Sequence, residues 1–168
     1  MFDLSTLIHN RFATRSYLPQ PVEDAKLTRI LEAGRLAPTG ANAQPQRILV
    51  VQSAEGLAKL SQAANIYKAP LALVVCVDTS KAWTRPVDGK NIADIDATIV
   101  TDHMMLTAAA EGLNSVWICM FKPDVIRQAF QLPEGLVPVN ILALGYSDAQ
   151  PPAKNRKPLD ELVTYESF

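Results

Sequence analysis

The chain has 168 residues and a mass of 18.3 kDa, which suits one domain and is short for two. Hydrophobic residues make up 48% and charged residues 20%, so the composition is that of a folded globular protein and excludes a disordered chain. Sixteen basic and seventeen acidic residues give a net charge of −1, which argues against nucleic-acid binding through bulk charge. A local basic cluster is compatible with this total.

The cysteines and the apolar runs indicate a cytoplasmic location. Cys76 and Cys119 each lie in an apolar run, which predicts buried free thiols in a reducing compartment rather than a disulfide. Asp3 and Ser5 interrupt the first residues, so no signal peptide is predicted. Residues 95–113 form the longest apolar-rich stretch, but they contain too many polar side chains for a membrane span.

The first half of the chain predicts three helices and two strands. Helices are expected over residues 5–11 and 24–36, the second of which is ended by Pro38. A β-rich run predicts a short strand over residues 47–51, and Ser53 is the expected N-cap of a helix that continues to Ala64. The continuous apolar run over residues 71–78 is typical of a buried central strand.

The second half continues the mixture of helices and strands. Residues 83–94 lack any period and are predicted to form a loop, after which an apolar core helix is expected over residues 95–111, with Gly112 at its end. Strands are predicted over residues 115–119 and 138–145, separated by a helix over residues 123–130 that Pro123 opens. The proline-rich segment over residues 147–158 is expected to leave the domain body. This order fits an α/β or α+β layered fold.

Several well-known catalytic and binding motifs are missing from the sequence. It contains no Gly-x-Gly-x-x-Gly after a strand, no complete P-loop, no Gly-x-Ser-x-Gly and no His-Glu-x-x-His. Asp94, Asp96, Asp102 and His103 suggest a metal site, but Asp96 and Asp102 are six residues apart and so lie on different sides of a helix. Solvated carboxylates at a helix start, where they suit the helix dipole, are the favoured interpretation.

Cationic residues occur near both ends of the chain. Arg11 and Arg15 are four residues apart, so they would project the same way if helical geometry continued, and two guanidinium groups make a good clamp for a phosphate dianion. Two solvated arginines that pair with nearby carboxylates are the alternative. Lys154, Arg156 and Lys157 precede an apolar tail, and such a cluster is usually solvated.

A loop of small residues over residues 37–46 is the third candidate feature. Small residues let a flat ligand approach the backbone, and the amides of Asn42 and Gln44 match the donor and acceptor edge of a ring. An ordinary connection between a helix and a strand is the alternative. The role of Trp117 is also left open, because one aromatic residue on a strand packs in a core more often than against a cofactor.

Taken together, these motifs resemble the nitroreductase family of flavoproteins over nearly the whole chain. Arg11-Phe12-Ala13-Thr14-Arg15-Ser16-Tyr17 is similar to the opening motif of the family, and Ala37-Pro38-Thr39-Gly40-Ala41-Asn42-Ala43-Gln44-Pro45 is similar to its Ala-Pro-Ser-x-x-Asn-x-Gln-Pro. Shorter matches follow in the family's order at residues 68–70, 111–113, 117–118, 132–135, 144–146 and 156–163. Each match is weak alone, and their common order makes the resemblance specific.

The resemblance implies a fold and a reaction. It implies one α+β domain over residues 1–168, in three layers, with a mixed and mostly antiparallel sheet flanked by helices. It further implies a homodimer in which the C-terminal tail, residues 146–168, is exchanged and each FMN lies in the subunit interface. The expected reaction transfers hydride from NAD(P)H to a nitroaromatic, a quinone or a similar acceptor by a ping-pong mechanism. No metal and no catalytic side chain are expected, because FMN performs the redox step.

The resemblance also assigns cofactor contacts to particular residues. The phosphate and ribityl chain would be held by Arg11, Arg15, Lys154 and Arg156, and the second subunit would contribute Pro38, Thr39, Gly40 and Asn42. Asn65 and Lys68 would meet the pyrimidine edge, with Lys68 stabilising negative charge on the reduced ring, and Ile118 and Cys119 would contact the ring through the backbone. The predicted cofactor-binding set is completed by Phe12, Ala13, Gln44 and Trp117.

The sequence departs from the family pattern at four positions. Phe12 and Ala13 stand where the family usually has Arg and Ser, so only the Ala13 amide is left for one phosphate contact. Gln46 replaces a frequent Trp and Cys119 a frequent Gly, which bears on the substrate. Two alternatives stay open: an FMN protein that performs dehalogenation, flavin breakdown or desaturation, and a non-enzymatic module that binds flavin or a phosphate ligand. A protein whose basic tail touches nucleic acid is a weaker third.

Overall fold

A computed structural model describes residues 3–168 of the chain. The helices and strands that were predicted are present, with ends that shift by at most one or two residues. The helices are α1 (Leu4–Asn10), α2 (Asp24–Leu36), α3 (Ala54–Ala63), α4 (Ala93–Ala110), α5 (Pro123–Ala129) and a short α6 (Leu159–Leu162). The strands are β1 (Gln46–Val51), β2 (Leu71–Asp78), β3 (Asn114–Ile118) and β4 (Leu136–Gly145).

The four strands form one sheet in the order β1-β2-β4-β3, and each neighbouring pair is antiparallel. β2 is a central strand, and its residues from Leu71 to Val77 are all buried. A run that is apolar at every position needs cover on both faces, which a central strand between two helical layers provides. The prediction of a buried central strand is confirmed.

Helices cover both faces of this sheet, which gives three layers. Because side chains alternate along a strand, Leu73 and Val75 join the core under α2 and α4, and Val74 joins the core under α3 and α5. The isolated bridge between Ala13 and Ser115 adds a parallel contact to the antiparallel sheet. The predicted α+β class is confirmed.

The helices begin and end at the capping, proline and glycine residues that the sequence predicts. The Ser53 hydroxyl accepts a hydrogen bond from the Gly56 amide at 3.1 Å and caps α3. α2 ends at Leu36, two residues before Pro38, and Gly112 takes a positive φ of 76° just after α4. Pro123 occupies the start of α5.

The two cysteines have different environments. Both thiols are free, and Cys76 is buried as predicted, which raises its pKa to about 11. The prediction that Cys119 is buried is wrong, because β3 ends at Ile118 and Cys119 is exposed in the turn that follows.

The C-terminal segment is exposed from Asp148 to Phe168, as its prolines predict. Its contact with the body includes the hydrogen bond that the Lys154 ammonium donates to the Arg11 carbonyl at 2.6 Å. Among residues 3–168, no helix combines the length and the apolar character that crossing a bilayer requires.

Candidate cofactor site

The segment after α1 runs beside β3 in an extended conformation. The Thr14 amide donates to the Ser115 carbonyl at 2.9 Å, and the Thr14 side chain is buried while Ala13 and Arg15 are exposed. α1 ends at Asn10, so the helical geometry on which the pairing of Arg11 with Arg15 depended does not persist. Four residues of extended chain separate the two Cα atoms by about 13 Å, roughly twice the spacing of neighbours on a helix face.

Arg11 instead lies with the basic residues of the tail. Arg11, Lys154 and Arg156 line a cleft of about 610 Å³, whose other lining residues are Ser5, Ile8, His9, Asp102, Met105 and Leu106. Desolvation and the nearby charges of Arg11 and Arg156 lower the pKa of Lys154. Asp102 supplies one carboxylate against three permanent or near-permanent cations, so the cleft favours an anion.

The rest of the tail cluster is solvated, as predicted. The Lys157 ammonium lies 3.6 Å from the Glu161 carboxylate, and both side chains are well exposed. Sequence reasoning alone therefore described Lys157 correctly, but it did not place Lys154 and Arg156 against α1.

Arg15 packs at a second position, over the turn that follows α3. Its guanidinium carbon lies 5.8 Å from the centre of the Tyr67 ring, in cation–π geometry. The Asn65 side-chain oxygen accepts from the Tyr67 amide at 2.9 Å, and Tyr67 and Lys68 have positive φ values of 56° and 59°. Asn65 and Lys68 line one recess of about 270 Å³, so the structure brings these two predicted residues together.

Residues 38–44, called the amide loop below, form a tight turn held by its own polar groups. The Thr39 hydroxyl accepts from the Gln44 amide at 3.1 Å, and the Gln44 side chain donates to the Asn42 carbonyl at 3.3 Å. Ala41, Asn42 and Gln44 have positive φ values of 49°, 55° and 50°. Left-handed backbone costs a non-glycine residue about 1–2 kcal/mol, and such residues cluster at functional sites.

Asp96 joins the amide loop to α4, and sequence reasoning missed it. Its side chain is buried at 0% exposure, and its Oδ1 accepts from the Gly40 amide at 2.8 Å. The prediction of solvated carboxylates at the start of this helix holds for Asp94 and is wrong for Asp96. The signal lay in the spacing, because Asp96 shares a helix face with the buried Val100 and Met104.

A metal centre finds no support in residues 3–168, where no group of three or more His, Cys, Asp or Glu side chains is placed to hold an ion. Asp96 is directed at a backbone amide, and Asp102 lies in the cationic cleft.

The end of β3 lies where the chain passes from the core to the surface. Because successive side chains of a strand point to opposite faces of the sheet, the half-buried Trp117 packs in the core under α2 and α4. Ile118 packs in the core on the other face. Cys119 and Met120 follow the strand and are exposed. Trp117 therefore packs as a core residue, while the chain at Ile118 and Cys119 reaches the surface at the edge of the sheet.

The predicted residues thus fall into separate groups within one chain. Arg11 joins Lys154 and Arg156, whereas Arg15 joins the turn at Asn65 and Lys68. Of residues 3–168, those that line the cationic cleft include none from the amide loop. α4 rises 1.5 Å per residue, so Asp96, which holds the loop, lies about 9 Å along the helix from Asp102 in the cleft.

The donors of these groups fit a flat, phosphorylated ligand. The cleft offers cations to a phosphate, and the turn at Asn65 and Lys68 offers an amide and an ammonium group to the edge of a ring. The protein is thus an α+β protein with cations and an amide available at two places on its surface.

The profile of the nitroreductase family matches residues 8–67 and 60–146. The chain belongs to the nitroreductase family, and the resemblance seen in its motifs is confirmed.

Three similar proteins illustrate this membership. The crystal structure of a nitroreductase family protein from Clostridium difficile 630 is 51% identical with a TM-score of 0.95, and the match covers 100% of both chains. An FMN-dependent nitroreductase from Clostridium difficile R20291 is 27% identical with a TM-score of 0.82, over 96% of this chain and 98% of the other. An FMN reductase [NAD(P)H] from Bacillus subtilis is 26% identical over 92% of this chain and 70% of its own length.

Proposed function

We propose that this protein oxidises NAD(P)H and reduces a small oxidised acceptor, such as a nitroaromatic or a quinone, with FMN as its cofactor. Its class, an NAD(P)H-dependent flavin oxidoreductase, follows from its family and from relatives named FMN reductase and FMN-dependent nitroreductase. The cycle is ping-pong: the nicotinamide and the acceptor occupy one site in turn. The observation that carries the proposal is the cleft formed by Arg11, Lys154 and Arg156.

The cationic cleft is the proposed phosphate site. Arg11 and Arg156 offer planar guanidinium groups that bind phosphate oxygens in pairs, and Lys154 adds a point charge. Desolvation lowers the pKa of Lys154 first, and repulsion from Arg11 and Arg156 lowers it further. A phosphate dianion between the three side chains would remove this repulsion. Arg15, further along the extended segment, is proposed to contact the ribityl chain.

The turn after α3 and the end of β3 are the proposed ring contacts. Asn65 and Lys68 would face the pyrimidine edge, where the Lys68 ammonium stabilises negative charge. The backbone at Ile118 and Cys119 would lie along the ring. Bound FMN supplies the two-electron redox chemistry. The protein side chains orient the ligands and compensate charge, and solvent supplies protons.

A homodimer with an exchanged tail is the proposed assembly. Leu4 and Ile8 on α1 and Leu159 and Leu162 on α6 are more than half exposed, and exposed apolar side chains favour an interface. Since the amide loop does not line the cleft of its own chain, we propose that Pro38, Thr39, Gly40 and Asn42 complete the site of the second subunit, with Gln44 holding their turn.

The spectrum of the purified protein tests the proposed function. We expect a yellow protein that NADPH bleaches without oxygen and that a nitroaromatic or a quinone restores, with steady NAD(P)H consumption. Bleaching without turnover on any acceptor would favour another FMN reaction. A colourless protein that does not bind added FMN would favour a non-enzymatic module and contradict the proposal.

The double variant Arg11→Ala with Lys154→Ala tests the phosphate site. Each lost charged hydrogen bond contributes about 1.5–3 kcal/mol, so FMN affinity is expected to fall by about 100-fold or more in a fluorescence titration. Lys59→Ala removes an exposed lysine on α3 that pairs with Glu55, and it serves as the control with unchanged affinity. Equal affinity in the double variant and the control would contradict the assignment.

A further inference from the structure

We propose that Asp96 is a positioning residue that holds the amide loop in the conformation in which Thr39, Gly40 and Asn42 contact the flavin. This inference rests on the proposed function. It assigns a role to a side chain that lies outside every predicted cofactor contact, one helix turn into α4.

Burying the Asp96 carboxyl group costs free energy, and its contact with the amide loop is the interaction that offsets this cost. Its carboxyl group is buried, its Oδ1 accepts from the Gly40 amide at 2.8 Å, and its Oδ2 is buried with no hydrogen-bond partner. A buried polar atom without a partner costs about 1–3 kcal/mol. An apolar residue would fill this position of the helix face more favourably, as Val100 and Met104 do further along it.

Gly40 is fitted closely to the same region. A side-chain carbon on Gly40 would clash with Ile92 Cδ1 and would lie 3.3 Å from Trp83 Cβ. The loop backbone therefore lies against Ile92, immediately before α4, and is held there by the hydrogen bond to Asp96. One helix end thus fixes the position of the loop through both packing and polar contact.

Three of the four residues that follow Gly40 show why the loop needs this anchor. Ala41, Asn42 and Gln44 have left-handed backbone, which an L-residue does not favour by itself. The internal hydrogen bonds of the loop, such as that from the Asn42 amide to the Thr39 carbonyl at 3.0 Å, set its shape. The bond from Gly40 to Asp96 connects that shape to the body of the fold.

Asp96→Ala, compared with Asp94→Ala, tests the role. Both changes remove one carboxylate from the start of α4, but Asp94 is exposed and the hydrogen bond to Gly40 is made by Asp96. We expect Asp96→Ala to weaken FMN binding by about tenfold and Asp94→Ala to leave it unchanged, since one strong hydrogen bond to the loop is lost.

Asp96→Asn separates positioning from simple stability. Its Oδ1 still accepts from Gly40, so FMN affinity is expected within about threefold of the unchanged protein, while Asp96→Ala stays weak. In the flavin-free protein, the NMR amide resonance of Gly40 should move upfield and exchange faster in Asp96→Ala, but not in Asp94→Ala. Should Asp96→Ala fail to fold, Asp96→Ser with the same NMR readout takes its place.

The outcomes distinguish this inference from the proposed function. If the unchanged protein binds FMN and Asp96→Ala binds it equally well, the inference is overturned and the proposed function stands. An unchanged Gly40 resonance in Asp96→Ala also overturns it. If the unchanged protein binds no FMN, the proposed function fails and the flavin role of Asp96 fails with it.

Discussion

The sheet with its helices and the loops at its rim hold their shapes in different ways. In β2, a run of Leu and Val takes the extended, buried conformation that such residues prefer. At the rim, Ala41, Asn42, Tyr67 and Lys68 take left-handed backbone that residues other than glycine avoid. The body is thus stable because its apolar side chains are buried. The conformation of the rim loops depends instead on hydrogen bonds and packing contacts with neighbouring residues. Such local strain is expected where a protein contacts a ligand.

The largest effect should follow from a cavity in the body. Leu73 in β2 is fully buried and pairs across the sheet with Leu142. Leu73→Ala is expected to lower the free energy of unfolding by about 2–5 kcal/mol, measured by urea denaturation at fixed protein concentration. Val87→Ala removes an exposed apolar side chain in the loop before α4 and should change stability by less than about 0.5 kcal/mol. An equal loss of unfolding free energy in both variants would contradict the contrast between body and rim.

The second effect concerns charge at the rim and has a definite pH direction. The pKa of Lys154 lies below its ordinary value of 10.5, because desolvation and the charges of Arg11 and Arg156 disfavour its protonated form. A phosphate binds the protonated form more tightly, so FMN affinity should fall as pH rises through this lowered pKa and level off once Lys154 is neutral.

Lys154→Arg is the matched variant for that pH profile, because arginine stays protonated throughout the range. Its FMN affinity should decline less than that of the unchanged protein when both are titrated on the alkaline side. His9 and Asp102 also line the cleft, and both are present in the two proteins that are compared. Identical alkaline profiles for the two proteins would remove Lys154 from the phosphate site.

A smaller effect is expected where the N-terminal segment meets the sheet. The Tyr17 hydroxyl donates to the Ala143 carbonyl at 3.1 Å, and burial raises the pKa of Tyr17 above its ordinary value of 10.0. Tyr17→Phe should cost about 0.5–1.5 kcal/mol of unfolding free energy near neutral pH. Because the raised pKa favours the neutral form in the folded state, the unchanged protein should lose this stability as pH rises above about 10. A Tyr17→Phe variant with the same alkaline loss would contradict the assignment.

The smallest effect tests strain in the amide loop directly. Ala41 has a φ of 49°, which glycine adopts without a steric cost. Ala41→Gly should therefore raise the unfolding free energy by about 0.5 kcal/mol, the relief of strain less the extra entropy of the unfolded chain. Ala58→Gly, at an exposed position within α3, should lower it by about 1 kcal/mol. A loss of stability in both variants would show that the loop backbone is not strained.

Most of the body could be predicted from the sequence, since its signals are local. The apolar run of β2, Ser53 before α3 and Pro123 at the start of α5 each act within a few residues. Strand order could not be predicted in this way, because placing β4 between β2 and β3 depends on contacts between residues far apart in the chain.

The candidate site was predicted less completely, for reasons that particular residues illustrate. Asp96 looks like any acidic residue at a helix start until the fold brings Gly40 to it. The pairing of Arg11 with Arg15 was conditional on a helix that ends at Asn10, and the predicted strand included Cys119, one residue beyond its observed end. The motifs that indicated the family, by contrast, depend only on the order of residues along the chain. They could be found without knowing which residues contact each other in the fold.

The structure of the protein with bound FMN tests the central claim most directly. We expect the phosphate within hydrogen-bond distance of Arg11, Lys154 and Arg156 of one subunit, and the amide loop of the other subunit against the same flavin. A phosphate bound away from these three side chains, or a flavin enclosed by a single chain, would contradict the account.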